Sequence, residues 1–360
     1  MLSHLQKGTW RRCRLFAWVV GVGISIGIAY GSLIGFAGWG QALEGGLIGA
    51  VHGLVISGCI GLVEIFVLRT RPGQRIEQAP LVVTVLIKGV LYGAVITAVE
   101  LSNLGELVVS GKVDDPMTTR AFTPISLAFS FGFTFIIIFI LQISRLIGSG
   151  TLKNLVAGRY HRPRMEDRFF LFVDLVGSTP IAETIGPLGI HRFLNRVFTL
   201  FADPVADHDG EIYQYVGDQI VITWLDAAGR QEARPLACFF AIRSALADAA
   251  KAFEERFGVA PAVRGALHAG PVVAGEVGVH RRSIVFHGDV MNVCARLEQA
   301  TRDMGCSFLA SNDAIRRLEG KSSYSIRDRG SHTLRGRQSP MQVFEVSTRP
   351  SAATGSDANM

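Results

Sequence analysis

This chain cannot fold as a single water-surrounded globule, because its first 147 residues carry four apolar stretches long enough to cross a bilayer. A span needs about 20 predominantly apolar residues, and such runs lie near Leu15–Ala37, Gly45–Leu68, Leu81–Leu101 and Phe122–Leu146. The first is too long for the apolar core of a secretory signal peptide, and further spans follow it, so it reads as a retained anchor. Beyond Ile147 the pattern becomes that of an ordinary globular protein, long enough to bury its own core. The overall hydrophobic content of 49% reflects the sum of these two regimes. The sequence therefore predicts an all-α four-helix transmembrane domain over residues 1–147 and a linker over 148–167. A catalytic domain over 168–347 and a polar, disordered tail over 348–360 follow.

Positive charge in the flanks sets the expected orientation. Lys7, Arg11, Arg12 and Arg14 precede the first span, Arg69, Arg71 and Arg75 separate the second from the third, and Arg145, Lys153, Arg159, Arg162 and Arg164 follow the fourth. The other two loops are poor in it: the first has no Lys or Arg, and the longer sets Lys112 and Arg120 against Glu106, Asp114 and Asp115. Both termini and the second domain are thus expected on the cytoplasmic side of a plasma or inner membrane. The same flanks account for much of the net charge of +6, so nucleic acid is not an expected partner; the lipid bilayer is.

Within the spans, small residues recur every four positions: Gly23, Gly27, Gly31 and Gly35, then Gly45, Gly49, Gly53, Ser57 and Gly61. Such a stripe lets helix backbones approach closely. Glu64 and Lys88 lie at similar depth near the cytoplasmic ends of spans two and three and are expected to pair. The five cysteines, Cys13, Cys59, Cys238, Cys294 and Cys306, are odd in number and lack metal-ligand spacing. That argues against a disulfide framework or a zinc site and suits a reducing cytosol.

From Arg168 the pattern mixes strands and helices. Phe169–Asp174 reads as a strand, and Pro187 sits in the first turn of a helix running to about Asp207. Glu211–Val216 and Gln219–Trp224 form a hairpin around Gly217-Asp218, and a helix spans Glu232–Arg256. Strands are expected at Pro261–Ala269, Val272–Glu276 and Ser283–His287, then a helix through Met291–Ala300 capped by Asp289. A short strand at Ser307–Ala310, a helix capped by Ser311, and strands near Tyr324–Arg329 and Met341–Val346 complete the domain. Strand, helix, hairpin, helix, strand is the order of a ferredoxin-like α+β sheet.

Two aspartates stand out in that frame. Asp174 closes the first strand and runs into the small-residue turn Leu175-Val176-Gly177-Ser178-Thr179, and Asp218 occupies the hairpin turn. If the two strands are neighbours, the carboxylates converge at one sheet edge, where hard oxygen ligands suit Mg²⁺ carrying a nucleotide triphosphate. Asn292 and Arg296, four apart, present an amide and a guanidinium from one helix face. Together with Arg264 and Arg335 they supply the cations and donors that phosphoryl-type transfer needs.

These residues resemble a class III nucleotidyl cyclase. The resemblance rests on four motifs in order: Phe172-Val173-Asp174-Leu175-Val176-Gly177-Ser178-Thr179, then Tyr215-Val216-Gly217-Asp218. Arg264-Gly265-Ala266-Leu267-His268-Ala269-Gly270-Pro271-Val272 and His287-Gly288-Asp289-Val290-Met291-Asn292-Val293-Cys294-Ala295-Arg296-Leu297 follow. It implies that Asp174, Asp218 and the Leu175 carbonyl hold two Mg²⁺ or Mn²⁺ ions per site. It also implies that Gly177, Ser178 and Thr179 receive phosphates, that Arg264 and Arg335 contact the triphosphate, that Asn292 orients the ribose and that Arg296 stabilises the transition state. In this family the site forms between two catalytic domains, so the resemblance implies a homodimer with shared sites acting on ATP.

One departure bears on the base. The family's adenine-selecting lysine and aspartate align with Gln214 and Val285. Gln214 both donates and accepts hydrogen bonds, whereas Val285 does neither, which leaves guanylate or purine-promiscuous cyclase activity, and a catalytically silent nucleotide sensor, as the alternatives. A diguanylate cyclase is disfavoured by the absence of its Gly-Gly-acid-acid turn, and a transporter by the glycine stripes and the scarcity of central polar residues.

Overall fold

In the computed structural model, residues 2–34, 39–68, 70, 72–73, 76, 79–110, 124–148, 154–155, 157–280, 282–333 and 340–349 are described. The chain divides into two compact units, Met1–Leu152 and Lys153–Met360.

The first unit is helical: α1 (Leu2–Ile34), α2 (Trp39–Leu62, prolonged by a π-helical turn Val63–Val67), α3 (Leu81–Ser110) and α4 (Pro124–Ile147). Three segments, Arg12–Leu33, Ala42–Val67 and Leu81–Val99, are long and apolar enough to cross a membrane. In the fourth helix the described apolar run is the shorter Thr134–Ser144. Leu43, Leu47, Leu86, Val90, Phe135 and Ile136 all point outward, an arrangement that costs free energy in water and none in hydrocarbon. Glycines set how α1 and α2 meet. A Cβ added to Gly27 would land on the carbonyl oxygen of Gly49, and one on Gly49 would land on that of Gly27; Gly31 meets Gly45 and Gly23 meets Gly53 in the same way. Larger side chains would force these backbones apart and forfeit the dispersion contacts that drive helix association in lipid. Gly61 instead faces the Phe16 ring, and Gly35 lies outside the described residues.

Glu64, within the π-helical turn, pairs with Lys88 Nζ at 2.9 Å and accepts from Tyr92 Oη at 2.9 Å. Both charged side chains are sealed from solvent, at 8% and 2% exposure, so neither tolerates loss of its partner. Exchanging them (Glu64→Lys with Lys88→Glu) is expected to preserve folded, detergent-extractable protein. Lys88→Ala alone should lower stability by about 3 kcal/mol, since it strands a buried charge. Fluorescence-detected size exclusion with a heating series reads both.

The second unit is an eight-stranded mixed sheet with helices on both faces. Its strands are β1 (Arg164–Leu175), β2 (Glu211–Val216), β3 (Gln219–Leu225), β4 (Val263–Val277), β5 (Ser283–His287), β6 (Phe308–Ser311), β7 (Tyr324–His332) and β8 (Met341–Thr348). The spatial order is β2-β3-β1-β4-β6-β8-β7, with β5 on the far end of β4. The first four strands give the ferredoxin-like arrangement, with β1 flanked by antiparallel β3 and β4 along its length. Side chains alternate across β1. Phe169, Leu171, Val173 and Leu175 join the core formed with α5 (Ser178–Asp207) and α6 (Arg234–Phe257), through Phe193, Val197, Phe239 and Ile242. Phe170 and Phe172 face α7 (Asp289–Asp303), whose stripe Val290, Val293, Cys294 and Leu297 is buried against them. That spacing is one helix face.

Several boundaries differ from those expected. β1 begins at Arg164, inside the expected linker, because Arg164–Asp167 pair with β4 although their charges hide the strand pattern. β4 is one strand through Gly270-Pro271 rather than two. Pro271 falls in the gap between the β6 pairing at Gly265–Leu267 and the β5 pairing at Val273–Val277, where a residue lacking an N–H is tolerated. The helix expected from Glu232 starts at Arg234, since Glu232 and Ala233 adopt left-handed backbone (φ 51° and 48°). Gly288 rather than Asp289 caps α7, and Asp289 takes its first turn. Ser311 does cap α8 (Asn312–Arg317), accepting from Ala314 N at 3.1 Å. In α5 the chain breaks at Gly186 (φ 72°), so Pro187 opens a second helical segment. Arg335 and the tail from 350 lie outside the described residues.

Candidate active site

Asp174 is delivered by β1, whose ladder pairs it with Gln219 of β3 on one side and Arg264 of β4 on the other. Asp218 sits in the two-residue turn joining β2 to β3. The positive φ this turn needs falls on Gly217 (62°), a conformation that costs glycine nothing. The turn therefore lies beside the end of β1, and the Asp218 charge bears on Asp174.

Burial, Glu298 and Asp218 push the Asp174 carboxyl up to about 6, while Arg302 and Arg264 pull it down. The side chain is only 3% exposed, and Arg302 Nη2 holds its Oδ2 at 2.9 Å. Arg264 Nε approaches the same oxygen at 3.4 Å. Where β1 ends, Val176 N donates to Ala262 O at 2.8 Å, and Gly177 turns the chain with φ 71° into α5. The first helical bond is Ile181 N to Gly177 O at 3.2 Å. The amides of Ser178 and Thr179 precede it and stand at the positive end of a helix, a setting that favours phosphate.

The remaining sequence-identified residues lie elsewhere. Asn292 is exposed and Arg296 half-buried on α7. Arg302, ten residues after Asn292, is the α7 residue that reaches Asp174. At 1.5 Å per residue, Asn292 lies about 15 Å and Arg296 about 9 Å back along the helix axis. Around α7, Arg296 stands about 160° and Asn292 about 120° from Glu298, off the helix face that meets Asp174. Gln214 is exposed on β2 and Val285 half-buried on β5, flanking a ring contact between Tyr213 and Phe286 with centroids 4.9 Å apart. Arg335 lies outside the described residues.

Further residues to which sequence reasoning assigned no role have defined places. Glu298 is buried beside Asp174 and accepts from Arg302 Nε at 3.2 Å; their i,i+4 spacing on α7 was the available signal. Arg168 is 1% exposed, donates to Glu166 at 3.0 Å, Glu211 at 3.1 Å and Tyr160 Oη at 2.8 Å, and lies 4.6 Å from the Phe286 ring centre. A charge directly preceding an apolar strand gave no hint of burial. Cys294 donates from Sγ to Phe170 O and Ala266 O, tying α7 to β1 and β4, and burial drives its thiol far above the thiolate range.

The Asp174 and Asp218 carboxylates and the Leu175 carbonyl at the β1 end are hard oxygens of the kind that would fit Mg²⁺ or Mn²⁺. Among the described residues no three or more His, Cys, Asp or Glu are placed so as to hold a metal ion by themselves, so a six-coordinate ion here would draw its other ligands from phosphate and water. The raised Asp174 carboxyl has a measurable consequence. Folded Asp174 keeps its proton to about pH 6, whereas the unfolded carboxyl releases it near 3.8. Between those values the folded state binds more protons, so stability falls as pH rises through them. Denaturant melts of metal-free protein should show wild type losing stability relative to Asp174→Asn across that window and a constant difference above it.

Residues 161–347, just over half of the chain, match the model of the adenylate and guanylate cyclase catalytic domain. Adenylate cyclase 2 of Rhizobium meliloti is 33% identical over 84% of this chain and 84% of its own length. Adenylate cyclase 1 of the same organism is 30% identical over 49% of this chain and 27% of its own. Among solved structures, a bacterial light-regulated adenylyl cyclase superposes with a TM-score of 0.50 at 16% identity, covering 60% of this chain and 64% of that one, a likeness of fold. With its mixed sheet and its ordered motifs, this chain belongs to the class III adenylate and guanylate cyclase catalytic-domain family.

Proposed function

We propose that this chain is a membrane-anchored adenylate cyclase that converts ATP to 3′,5′-cyclic AMP and pyrophosphate. The carrying observation is the convergence of Asp174 and Asp218 at one sheet edge beside the open amides of α5. Two divalent ions there would activate the ribose 3′-hydroxyl and neutralise phosphate charge. Asp174, Asp218 and the Leu175 carbonyl would hold them. Gly177, Ser178 and Thr179 receive the phosphates on helix-end amides and hydroxyls. Arg264 and Arg335 bind the triphosphate, Asn292 orients the ribose, and Arg296 meets the charge that develops at the α-phosphate.

The placement of Asn292 and Arg296 away from the α7 face that meets Asp174 supports a homodimer. Asn292 and Arg296 of one protomer complete the site at the aspartates of its partner, giving two shared sites. The apolar helices anchor the enzyme in the bilayer, and the Lys and Arg flanks support a cytoplasmic side for both termini and the catalytic domain. ATP is the favoured substrate because no guanine-type glutamate stands at 214. Gln214 with Val285 supports a second reading, a loosened purine preference, since hydrogen-bond readout separates the two bases.

Membranes bearing the full chain, given ATP and Mn²⁺, are expected to form cyclic AMP and pyrophosphate, quantified by chromatography with mass detection. GTP assayed in parallel reports selectivity, and more product from GTP than from ATP would overturn the adenylate assignment. Asp174→Ala should lower turnover by about 10³-fold or more, comparable to losing a principal electrostatic group. Coexpressing Asp174→Ala with Arg296→Ala subunits should restore part of the activity through one intact shared site; no recovery would defeat the shared-site model.

A further inference from the structure

Helix α7 ends beside Asp174, and Arg302 in its last turn spans two carboxylates. Nη2 donates to Asp174 Oδ2 at 2.9 Å and Nε to Glu298 Oε1 at 3.2 Å. The carboxylates are 3% and 7% exposed, whereas Arg302 is 43% exposed. Arg264 is the other cation in reach, yet its Nε stands 3.4 Å from Asp174 and 3.8 Å from Glu298 and makes no hydrogen bond. Arg302 is therefore the group that holds the Asp174 carboxylate. Its side chain also borders an open hollow of about 480 Å³, lined by Arg243, Arg264, Thr301 and Ser307 among others, so there is room for it to withdraw.

We infer that Arg302 is a positioning residue that competes with the divalent cation for Asp174, with Glu298 as the second seat that keeps the guanidinium when Asp174 turns to metal. The inference rests on the reading that Asp174 is a metal ligand. A planar guanidinium fork suits this role, because one arm can release while the other stays bonded. The Arg302 bond occupies a lone pair of Oδ2 and sets a positive charge against it, so a cation coordinating that oxygen works against the guanidinium. A compact lysine ammonium at 302 would keep the charge but lose the fork.

The test is Mn²⁺ binding to the full-length, detergent-solubilised chain without nucleotide, followed by the electron paramagnetic resonance signal of the free ion. Arg302→Gln should lower the Mn²⁺ dissociation constant about fivefold, the size of one partly exposed charged contact. Arg302→Lys should move it the same way by a smaller factor and is the variant to use if Arg302→Gln misfolds. Unchanged or weaker binding in both variants overturns the inference. Tighter binding in Arg302→Gln with Arg302→Lys at the wild-type value also overturns it, since charge at a distance would then account for the effect. Asp174→Asn separates the two levels: if it binds Mn²⁺ as wild type does, the metal assignment itself falls and the competition with it. If Asp174→Asn loses binding while the Arg302 variants stay at wild type, only the competition falls.

Discussion

The second unit is organised around the confinement of β1. This strand is hydrogen-bonded along both edges by β3 and β4 and, from Phe169 to Leu175, buried on both faces. A strand gripped on four sides has almost no freedom at its end, so Asp174 is placed by the core rather than by a loop. The carboxylate is thereby denied water, which raises its proton affinity and makes it dependent on neighbouring cations. Arg302, Arg264 and the metal proposed for this strand end are alternative answers to one problem, a charge that the fold has drawn out of solvent.

The first unit is patterned for a different solvent, with three helices long and apolar enough to cross a membrane. Its helices expose aliphatic side chains and bury small and charged ones, the reverse of the pattern in the sheet. Close glycine contacts between α1 and α2 replace the hydrophobic effect as the source of packing, because apolar burial gains little in hydrocarbon. The Glu64, Lys88 and Tyr92 cluster follows the same logic: polar groups inside such a bundle are kept only when each satisfies another.

How much of this was legible in the sequence depended on how local the determinants were. The hairpin around Gly217-Asp218 was legible because a two-residue glycine turn between alternating strands leaves few options. Strand β5 and the Ser311 cap were legible for the same reason, and the Glu64–Lys88 pair followed from depth alone. The N-terminal third of β1 was not: Arg164, Glu166, Asp167 and Arg168 carry no apolar alternation, and their strand state comes from pairing with β4. Nor could the continuity of β4 through Pro271 be read, because it depends on where β5 and β6 stop. At the candidate site the residues of the chemistry were visible as motifs. Glu298 and Arg302 were not, since their role comes from where the end of α7 meets β1, a tertiary fact.

The buried Arg168 has a mechanical corollary. Its guanidinium is bonded at once to Tyr160 ahead of the sheet, to Glu166 on β1 and to Glu211 on β2, and Tyr160 O also accepts from Glu276 N on β4 at 3.0 Å. Displacing Tyr160 would strip a hydrogen bond from a cation that water cannot reach, a penalty of about 1–3 kcal/mol. The segment around Tyr160 is thus stiffly coupled to three strands, and any push arriving from upstream would be felt by the sheet as a whole rather than absorbed by slack.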